Sequence, residues 1–460
     1  MNGLRLLLIA AAVAVPAHAT AQTTDISEYA DEADRIIAAA LDDSAAYARL
    51  GELVDGFGPR FSGTPNLERA IDWILDEMKS DGLENVRGEH VMVPRWVRGE
   101  ESATLLEPHV REMPILGLGG SVATPAGGIT APVLVVSSFD DLTARAAEAK
   151  DRIVVFNVPF TSYGQTVRYR SGGASAGAKV GALASLVRSV TPHSMQTPHT
   201  GSMSYDTAVA RIPTAAITVE DAMMLQRMQD RGETPVIRLV MSAETLPDAP
   251  SRNVVAEIRG SELPDEVVVL GGHIDSWDVG QGAMDDGGGC VAAWEAVRLL
   301  KELGLRPRRT VRVVLWTNEE NGLRGGRAYA EMHADDVANH VLAIESDGGV
   351  FKPTGFGFSG TDEAFEIVKQ IGTLLDDIDA GDIQRGGGGA DIGPLMREGV
   401  PGMGLDVDGT RYFWYHHTDA DTLDKLDPRE VALSAAAMAV MAYVAADLPE
   451  RIPFGGQPAN

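Results

Sequence analysis

Residues 266–275 read Glu266-Val267-Val268-Val269-Leu270-Gly271-Gly272-His273-Ile274-Asp275. A near-continuous apolar run of this kind suits a strand buried on both faces, as in a largely parallel sheet covered by helices. It ends on an imidazole and a carboxylate. Two later runs end the same way: Val311-Arg312-Val313-Val314-Leu315-Trp316 leads into Thr317-Asn318-Glu319-Glu320, and Val341-Leu342-Ala343-Ile344 into Glu345-Ser346-Asp347. Helical spacing over 291–303, 325–338, 362–376 and 428–446 alternates with these runs. The pattern predicts an α/β fold, a three-layer sandwich around a mostly parallel or mixed central sheet.

Outward from that core the texture changes. Helical spacing recurs over 28–50 and 66–80, with a loop at Gly56-Phe57-Gly58-Pro59-Arg60 between them, and 89–97 reads as a strand. From 111 to 245 short β-type runs at 132–136, 152–158 and 215–219 surround a small-residue helix expected over 174–188. This stretch is poor in candidate ligands and reads as a smaller inserted domain. The expected organisation is a signal peptide at 1–21, a first catalytic part at 22–110, the insertion at 111–245 and a second catalytic part at 246–460.

The 460 residues are 44% hydrophobic and 23% charged, ordinary for a folded chain. Asp and Glu number 66 against 39 Lys and Arg, a net charge of −27. So acidic a surface argues against nucleic acid, whose phosphates need a basic face. Arg5, the apolar 6–15 stretch and the small residues at 17–21 read as a cleaved export signal. No later stretch reads as a membrane span, so the mature protein is expected in the periplasm or outside the cell, with no membrane partner. The single cysteine, Cys290, lies among small residues and reads as a buried core thiol.

Open α/β sheets bind ligands beyond the carboxyl ends of their strands. His273, Asp275, Glu319, Glu320 and Asp347 would meet there, joined by the loops Gly282-Ala283-Met284-Asp285-Asp286-Gly287 and Tyr415-His416-His417-Thr418-Asp419-Ala420-Asp421. So many carboxylates repel one another and resist desolvation unless cations compensate them. Imidazoles with carboxylates form a ligand set that suits zinc, and a pair of metals about 3.5–4 Å apart needs a bridging carboxylate. Asp275 is placed to orient the His273 imidazole. Of the adjacent Glu319 and Glu320, one can bind metal while the other takes a proton from water.

In order along the chain, His273-x-Asp275, Gly282-Ala283-x-Asp285-Asp286-Gly287, Asn318-Glu319-Glu320-x-Gly322, Glu345-Ser346-Asp347-Gly348 and His417-Thr418-x-x-Asp421 resemble the motif set of the M28 dizinc metallopeptidases. Trp414-Tyr415-His416-His417, the Gly386–Gly389 run and Glu345-Ser346-Asp347-Gly348-Gly349 are most similar to that family's carboxypeptidase Q branch. Residues 111–245 resemble the protease-associated (PA) domain this branch carries as an insertion. The resemblance implies one zinc on His273, Asp285 and Asp347, and a second on Asp285, Glu320 and His417. It implies Glu319 as general base for a metal-bridging hydroxide, Asp275 and Asp286 as supports behind the ligands, and a cis Asp285–Asp286 peptide. The motif spacing selects His417 over His416, and Tyr412 or Tyr415 is the candidate oxyanion donor.

The implied activity is a secreted zinc exopeptidase acting on dipeptides or short peptides, with a broader aminopeptidase as the alternative. A two-metal phosphoesterase and a non-catalytic receptor-like ectodomain are remoter alternatives, and the branch suggests a homodimer. The end of the peptide that is gripped depends on a charged anchor, for which Arg385, Arg397 and Arg411 are candidates. Two other patterns read as chance matches: Gly173-Ala174-Ser175-Ala176-Gly177 resembles a nucleophile elbow, and Gly355-Phe356-Gly357-Phe358-Ser359-Gly360 a dinucleotide loop. The Gly386–Gly389 run reads as a flexible rim for substrate backbone.

Overall fold

The computed structural model describes residues 25–42 and 44–455. The expected signal peptide lies outside these residues. One eight-stranded sheet runs, in spatial order, Glu84–Val97, Glu244–Ile258, Arg309–Trp316, Leu263–His273, His340–Glu345, Gly402–Val407, Pro353–Ser359 and Asp382–Arg385. Its four central strands, Arg309–Trp316 through Gly402–Val407, are parallel, and antiparallel pairings flank them.

The apolar runs explain the layering. On Leu263–His273, Val268 and Leu270 face one core while Val267 and Val269 face another, and Val313 and Val314 divide the same way. Because side chains alternate along a strand, covering both faces requires apolar residues at every position. Helices Gly288–Glu302 and Pro428–Asp447 fill one side, and Tyr329, Leu395 and Met396 cover the other.

Helix Pro428–Asp447 corrects one sequence expectation, since it is long and apolar enough by length and composition to cross a bilayer. In this fold it is the buried centre of the larger core, packed on Gly288–Glu302, and its alanines permit that close approach. Asp427 caps its start by accepting from the Arg429 and Glu430 amides at 2.8 and 3.3 Å, and Pro428 opens the first turn.

A second eight-stranded sheet is built from residues within 101–241, with Ile129–Val136, Ile153–Phe156, Ala184–Arg188 and Thr214–Ile217 as its parallel centre. It takes in Glu101–Glu107, which lies before the expected boundary at 111, because that strand pairs with Val236–Met241. The chain leaves the first sheet along Glu84–Val97 and returns along its antiparallel neighbour, which pairs Val97 with Glu244, so the second unit sits at that edge.

The helix expected over 174–188 is also corrected. The helix runs Tyr163–Lys179, a turn follows with Gly181 at φ 80°, and Ala184–Arg188 is a strand. Small residues suit a close-packed helix and a buried strand equally, so composition hid the break. Residues 173–177 lie inside that helix rather than on a strand-to-helix turn, so they form no nucleophile elbow.

Candidate metal centre and active site

Register brings the predicted groups to one level. The parallel pairing sets His273 beside Trp316 and Gly271 beside Glu345, so the residues that follow each strand emerge at the same sheet edge. Gly272 makes room for the next loop: a Cβ there would fall 2.2 Å from Asp286 Oδ2. That carboxylate accepts from the His273 amide at 3.0 Å and from the Gly289 amide at 3.1 Å, tying the 283–287 turn to strand and helix. The Asp285–Asp286 peptide is cis, as the resemblance implies.

His273 Nε2 lies 3.3 Å from both Asp285 Oδ1 and Asp347 Oδ1. Its Nδ1 lies 2.9 Å from the Asp275 carbonyl, which can only accept, so Nδ1 carries a proton and Nε2 is aimed at the carboxylates. His417 Nε2 lies 3.0 Å from Glu320 Oε2 and 3.3 Å from Asp285 Oδ2. Its Nδ1 faces the Thr200 carbonyl at 3.3 Å. Asp285 therefore stands between two clusters, with His273 and Asp347 on one side and Glu320 and His417 on the other.

His416 stacks on His417 with ring centroids 3.5 Å apart, and its Nε2 is 3.7 Å from Asp285 Oδ2. Both imidazoles thus reach Asp285, whereas the contact with Glu320 belongs to His417.

This geometry fits cations. Glu320 Oε1 is buried without a hydrogen-bond partner, a costly condition for a carboxylate oxygen. His273, Asp285 and Asp347 offer ligand atoms within 4.8 Å of one another, as do Asp285, His416 and His417. Burial pushes the Glu320 carboxyl up to about 7, with the Asp285 charge adding to it. Burial acts the same way on Asp285, but hydrogen bonds from His273 and His417 outweigh it and hold that carboxyl well below the usual range. Burial would lower the His417 imidazole, yet Glu320 and Asp285 raise it to about 10. Without metal, protons on the imidazoles do what cations would do.

Asp275 serves the loop more than the ring. Its carboxylate is 3.9 Å from His273 Nδ1, but it accepts from the Glu319 amide at 3.0 Å, the Glu320 amide at 3.4 Å and Ser62 Oγ at 3.1 Å. Asp275→Ala is expected to lower kcat about 10- to 100-fold by freeing this loop. An unchanged kcat with unchanged zinc content would show that the loop holds itself.

Several supports escaped the sequence reading. Arg60, fully buried, donates to the carbonyls of Ile274 at 2.9 Å, Gln281 at 2.8 Å and Gly282 at 2.8 Å. It fastens the turn that leads into Asp285, although its own segment reads only as a loop. Asp421, read in the sequence as the end of its motif without a role, accepts from the Met284 and Asp285 amides at 2.7 and 3.2 Å. The second unit reaches in with Tyr163, Arg170 and Ser202, which join Glu319, Tyr412 and the candidate ligands Asp285, Glu320, Asp347 and His417 in lining a cleft of about 500 Å³. Tyr412 faces this cleft, and burial together with Asp285, Asp347 and Glu320 raises its phenol well above the usual value.

Three sequence candidates for an anchor lie elsewhere: Arg385 pairs with Asp362 at 2.8 Å, Arg411 with Glu430 at 2.9 Å, and Arg397 is exposed. Within the Gly386–Gly389 run, Gly387 and Gly389 permit close packing. A Cβ on Gly387 would meet the Gly357 backbone at 2.6 Å, and one on Gly389 the Glu345 carboxylate at 2.1 Å. Cys290 is buried and free.

An α/β sandwich with imidazoles and carboxylates converging beyond its parallel strands, and a glutamate beside them, has the donor set of a metal-dependent hydrolase. Comparison with known proteins narrows the class. Residues 253–442 match the model of peptidase family M28. Carboxypeptidase Q of Mus musculus is 50% identical over 432 residues, covering 93% of this chain and 92% of the relative. A peptidase M28 precursor from Shewanella amazonensis SB2B superposes with a TM-score of 0.90 at 35% identity, covering 94% of this chain and 100% of that one. A zinc aminopeptidase of Bacillus subtilis shares the fold at 20% identity, with a TM-score of 0.66 over 89% of this chain and 98% of that one. The chain belongs to peptidase family M28.

Proposed function

We propose that this chain is an exported two-zinc exopeptidase that hydrolyses dipeptides and short peptides. The single observation that carries the reading is the convergence of His273, Asp285, Glu320, Asp347 and His417, with Asp285 shared between the two clusters. One zinc would be held by His273, Asp285 and Asp347, the other by Asp285, Glu320 and His417. When bound, zinc polarises a peptide carbonyl and lowers the pKa of a coordinated water.

The chain's own groups supply the rest. Glu319 lines the cleft beside the ligands, where its carboxylate takes the proton of the attacking water and returns it to the leaving amine. Asp275 fixes the amide of Glu319 and so aims that carboxylate. The phenol of Tyr412, turned into the same cleft, donates to the carbonyl oxygen as charge develops on it; Tyr415 is not among the cleft-lining residues. Asp286 and Asp421 hold the turn that presents Asp285.

We assign the second sheet and its helices to a PA-like insertion, supported by a chain path that departs from and returns to one edge of the catalytic sheet. The homodimer implied by the carboxypeptidase Q branch belongs to the same reading, and sedimentation tests it. The activity is tested on free dipeptides, N-blocked dipeptides and aminoacyl anilides, alongside the metal content of the purified protein. Chelator-sensitive turnover of free dipeptides with two zinc ions per chain is the expected result. Release of phosphate from an ester, with no peptide turnover, would move the protein to another class of two-metal hydrolase.

A further inference from the structure

Of the five candidate ligands, His417 alone hydrogen-bonds to the second unit among the described residues. Its ring Nδ1 faces the Thr200 carbonyl at 3.3 Å, and its own carbonyl accepts from the Thr200 amide at 3.0 Å. Ring and backbone are thus held by one residue. The Thr200 carbonyl also accepts from Arg170 at 3.3 Å, which its second lone pair allows. The other ligands are held differently: the Asp275 carbonyl orients His273, and the Asp275 carboxylate holds the Glu320 amide, both from the catalytic sheet. His417 also sits at φ 61°, in the left-handed region that a residue with a Cβ rarely adopts. Such a backbone persists where its surroundings over-determine it, and Thr200 supplies two of the contacts that do so.

Thr200 is itself held on both sides. The Gly119 amide donates to the Gly201 carbonyl at 3.0 Å, and the Met203 amide to the Gly119 carbonyl at 3.0 Å, which pins the strip around Thr200 to the second unit. Thr200 Oγ1 donates to the Gly117 carbonyl at 2.8 Å and accepts from Arg98 at 3.4 Å. Arg98 stands where the chain crosses from the first sheet to the second, and it donates to the Gly117 carbonyl as well. Its Nε and Nη2 meet the Asp278 carboxylate at 2.9 and 2.5 Å, a two-point pair that fixes direction as well as distance. Asp278 lies on the loop that leads toward Asp285, and Arg60 fastens that loop through the carbonyls of Ile274, Gln281 and Gly282. Arg98 therefore ties the strip that carries Thr200 to the catalytic side of the molecule.

Resting on the two-zinc reading above, we propose that Thr200 is a positioning residue for His417, and that the Arg98–Asp278 pair, by fixing Thr200, sets the affinity of the zinc held by Asp285, Glu320 and His417. The zinc held by His273, Asp285 and Asp347 does not depend on it. A ligating imidazole is oriented by the partner of its other ring nitrogen, and loosening such a partner lowers metal affinity about 10- to 100-fold. Seating of the second unit is then a condition for loading one metal and not the other.

The test is calorimetric titration of zinc into the metal-free full-length protein and its Arg98→Met, Arg98→Lys and Thr200→Val variants. Valine keeps the shape of threonine and removes the bonds of Oγ1. The unsubstituted protein is expected to take up two ions. Arg98→Met is expected to weaken one of them about 10- to 100-fold and to shift the other less than about threefold, and Thr200→Val to weaken the same one about tenfold. Arg98→Lys, which still meets Asp278 with a single point charge, should recover part of the loss. A His417→Ala background identifies the ion: with that site already gone, Arg98→Met should change the remaining affinity less than about threefold.

Equal weakening of both ions in the single variants, or a further loss of about tenfold in the His417→Ala background, marks a general structural role and overturns the proposal. Unchanged affinities in Arg98→Met and Thr200→Val overturn it too. Should Arg98→Met fail to fold, Thr200→Val alone and in the His417→Ala background makes the same comparison. Uptake of fewer than two ions by the unsubstituted protein overturns the two-zinc reading and this proposal with it, whereas two ions with unshifted variants overturn the proposal alone.

Discussion

Glu319→Gln is expected to lower kcat by about 10²- to 10⁴-fold, the range of a removed general base, while leaving zinc content and melting temperature close to those of the unsubstituted protein. The amide keeps the shape of the carboxyl group but cannot take a proton. Nothing that holds the segment is touched, because the loop is fastened through the Glu319 and Glu320 amides, which donate to Asp275, and through Asn318, which bonds Ser62 at 3.0 Å. The carboxyl of Glu319 is pushed well above its ordinary value by burial, then by the charges of Asp347 and Glu320, and His273 works against them. Cations that neutralise Asp347 and Glu320 remove that part of the shift and leave the carboxyl ionised, and burial keeps it more basic than an exposed glutamate. Steady-state kinetics on a free dipeptide, with zinc measured on the same sample, checks the expectation. Activity within a few-fold of the unsubstituted protein would assign proton transfer elsewhere.

Removing the metal is expected to abolish turnover and to lower the melting temperature, and the second effect should grow as pH rises. The sign follows from two groups. Without metal, Glu320 titrates in the folded protein at about 7 rather than near 4.5, so the native state binds more protons than the unfolded chain between those values and loses stability as pH rises through them. His417, raised from 6.5 to about 10, contributes stability that is fully present below 6.5 and disappears as pH climbs toward 10. Both effects weaken the metal-free protein in the same direction. With zinc bound, Glu320 is held as a carboxylate and His417 as a neutral imidazole, so neither protonation is needed. The gap in melting temperature between zinc-loaded and chelated protein should therefore be small near pH 5 and larger near pH 8. Differential scanning calorimetry at both pH values measures it, and a gap that narrows with pH would remove Glu320 and His417 from the metal site. Added zinc should restore both turnover and melting temperature.

The same chemistry explains why the order of the chain, rather than any one motif, made the centre legible. Each of the runs ending at His273, Glu320 and Asp347 carries an apolar strand too thoroughly hydrophobic to expose either face. Any sheet that buries such strands in parallel brings their polar ends to one edge. Pairings of His273 with Trp316 and of Gly271 with Glu345 are the register that results. Asp285 and His417 were legible only as members of a spaced set, since a single Asp-Asp or His-His is common in any acidic chain.

What the sequence by itself determined was therefore the class of fold, the edge where chemistry is done and the residue types gathered there, because burial and charge compensation act on composition and order alone. The tertiary structure decided three things that no local pattern encodes. It placed the Arg60 guanidinium on the carbonyls of Ile274, Gln281 and Gly282, turned Asp275 toward the loop of its neighbours Glu319 and Glu320, and brought Arg170 from another sheet's helix to the back of His417. It also divided the small-residue stretch near Gly181 into helix and strand. The reason is common to all of them. A hydrogen bond or a close packing contact between residues distant in the chain is fixed by where two surfaces meet, and small or charged side chains carry no periodic signal of their partner.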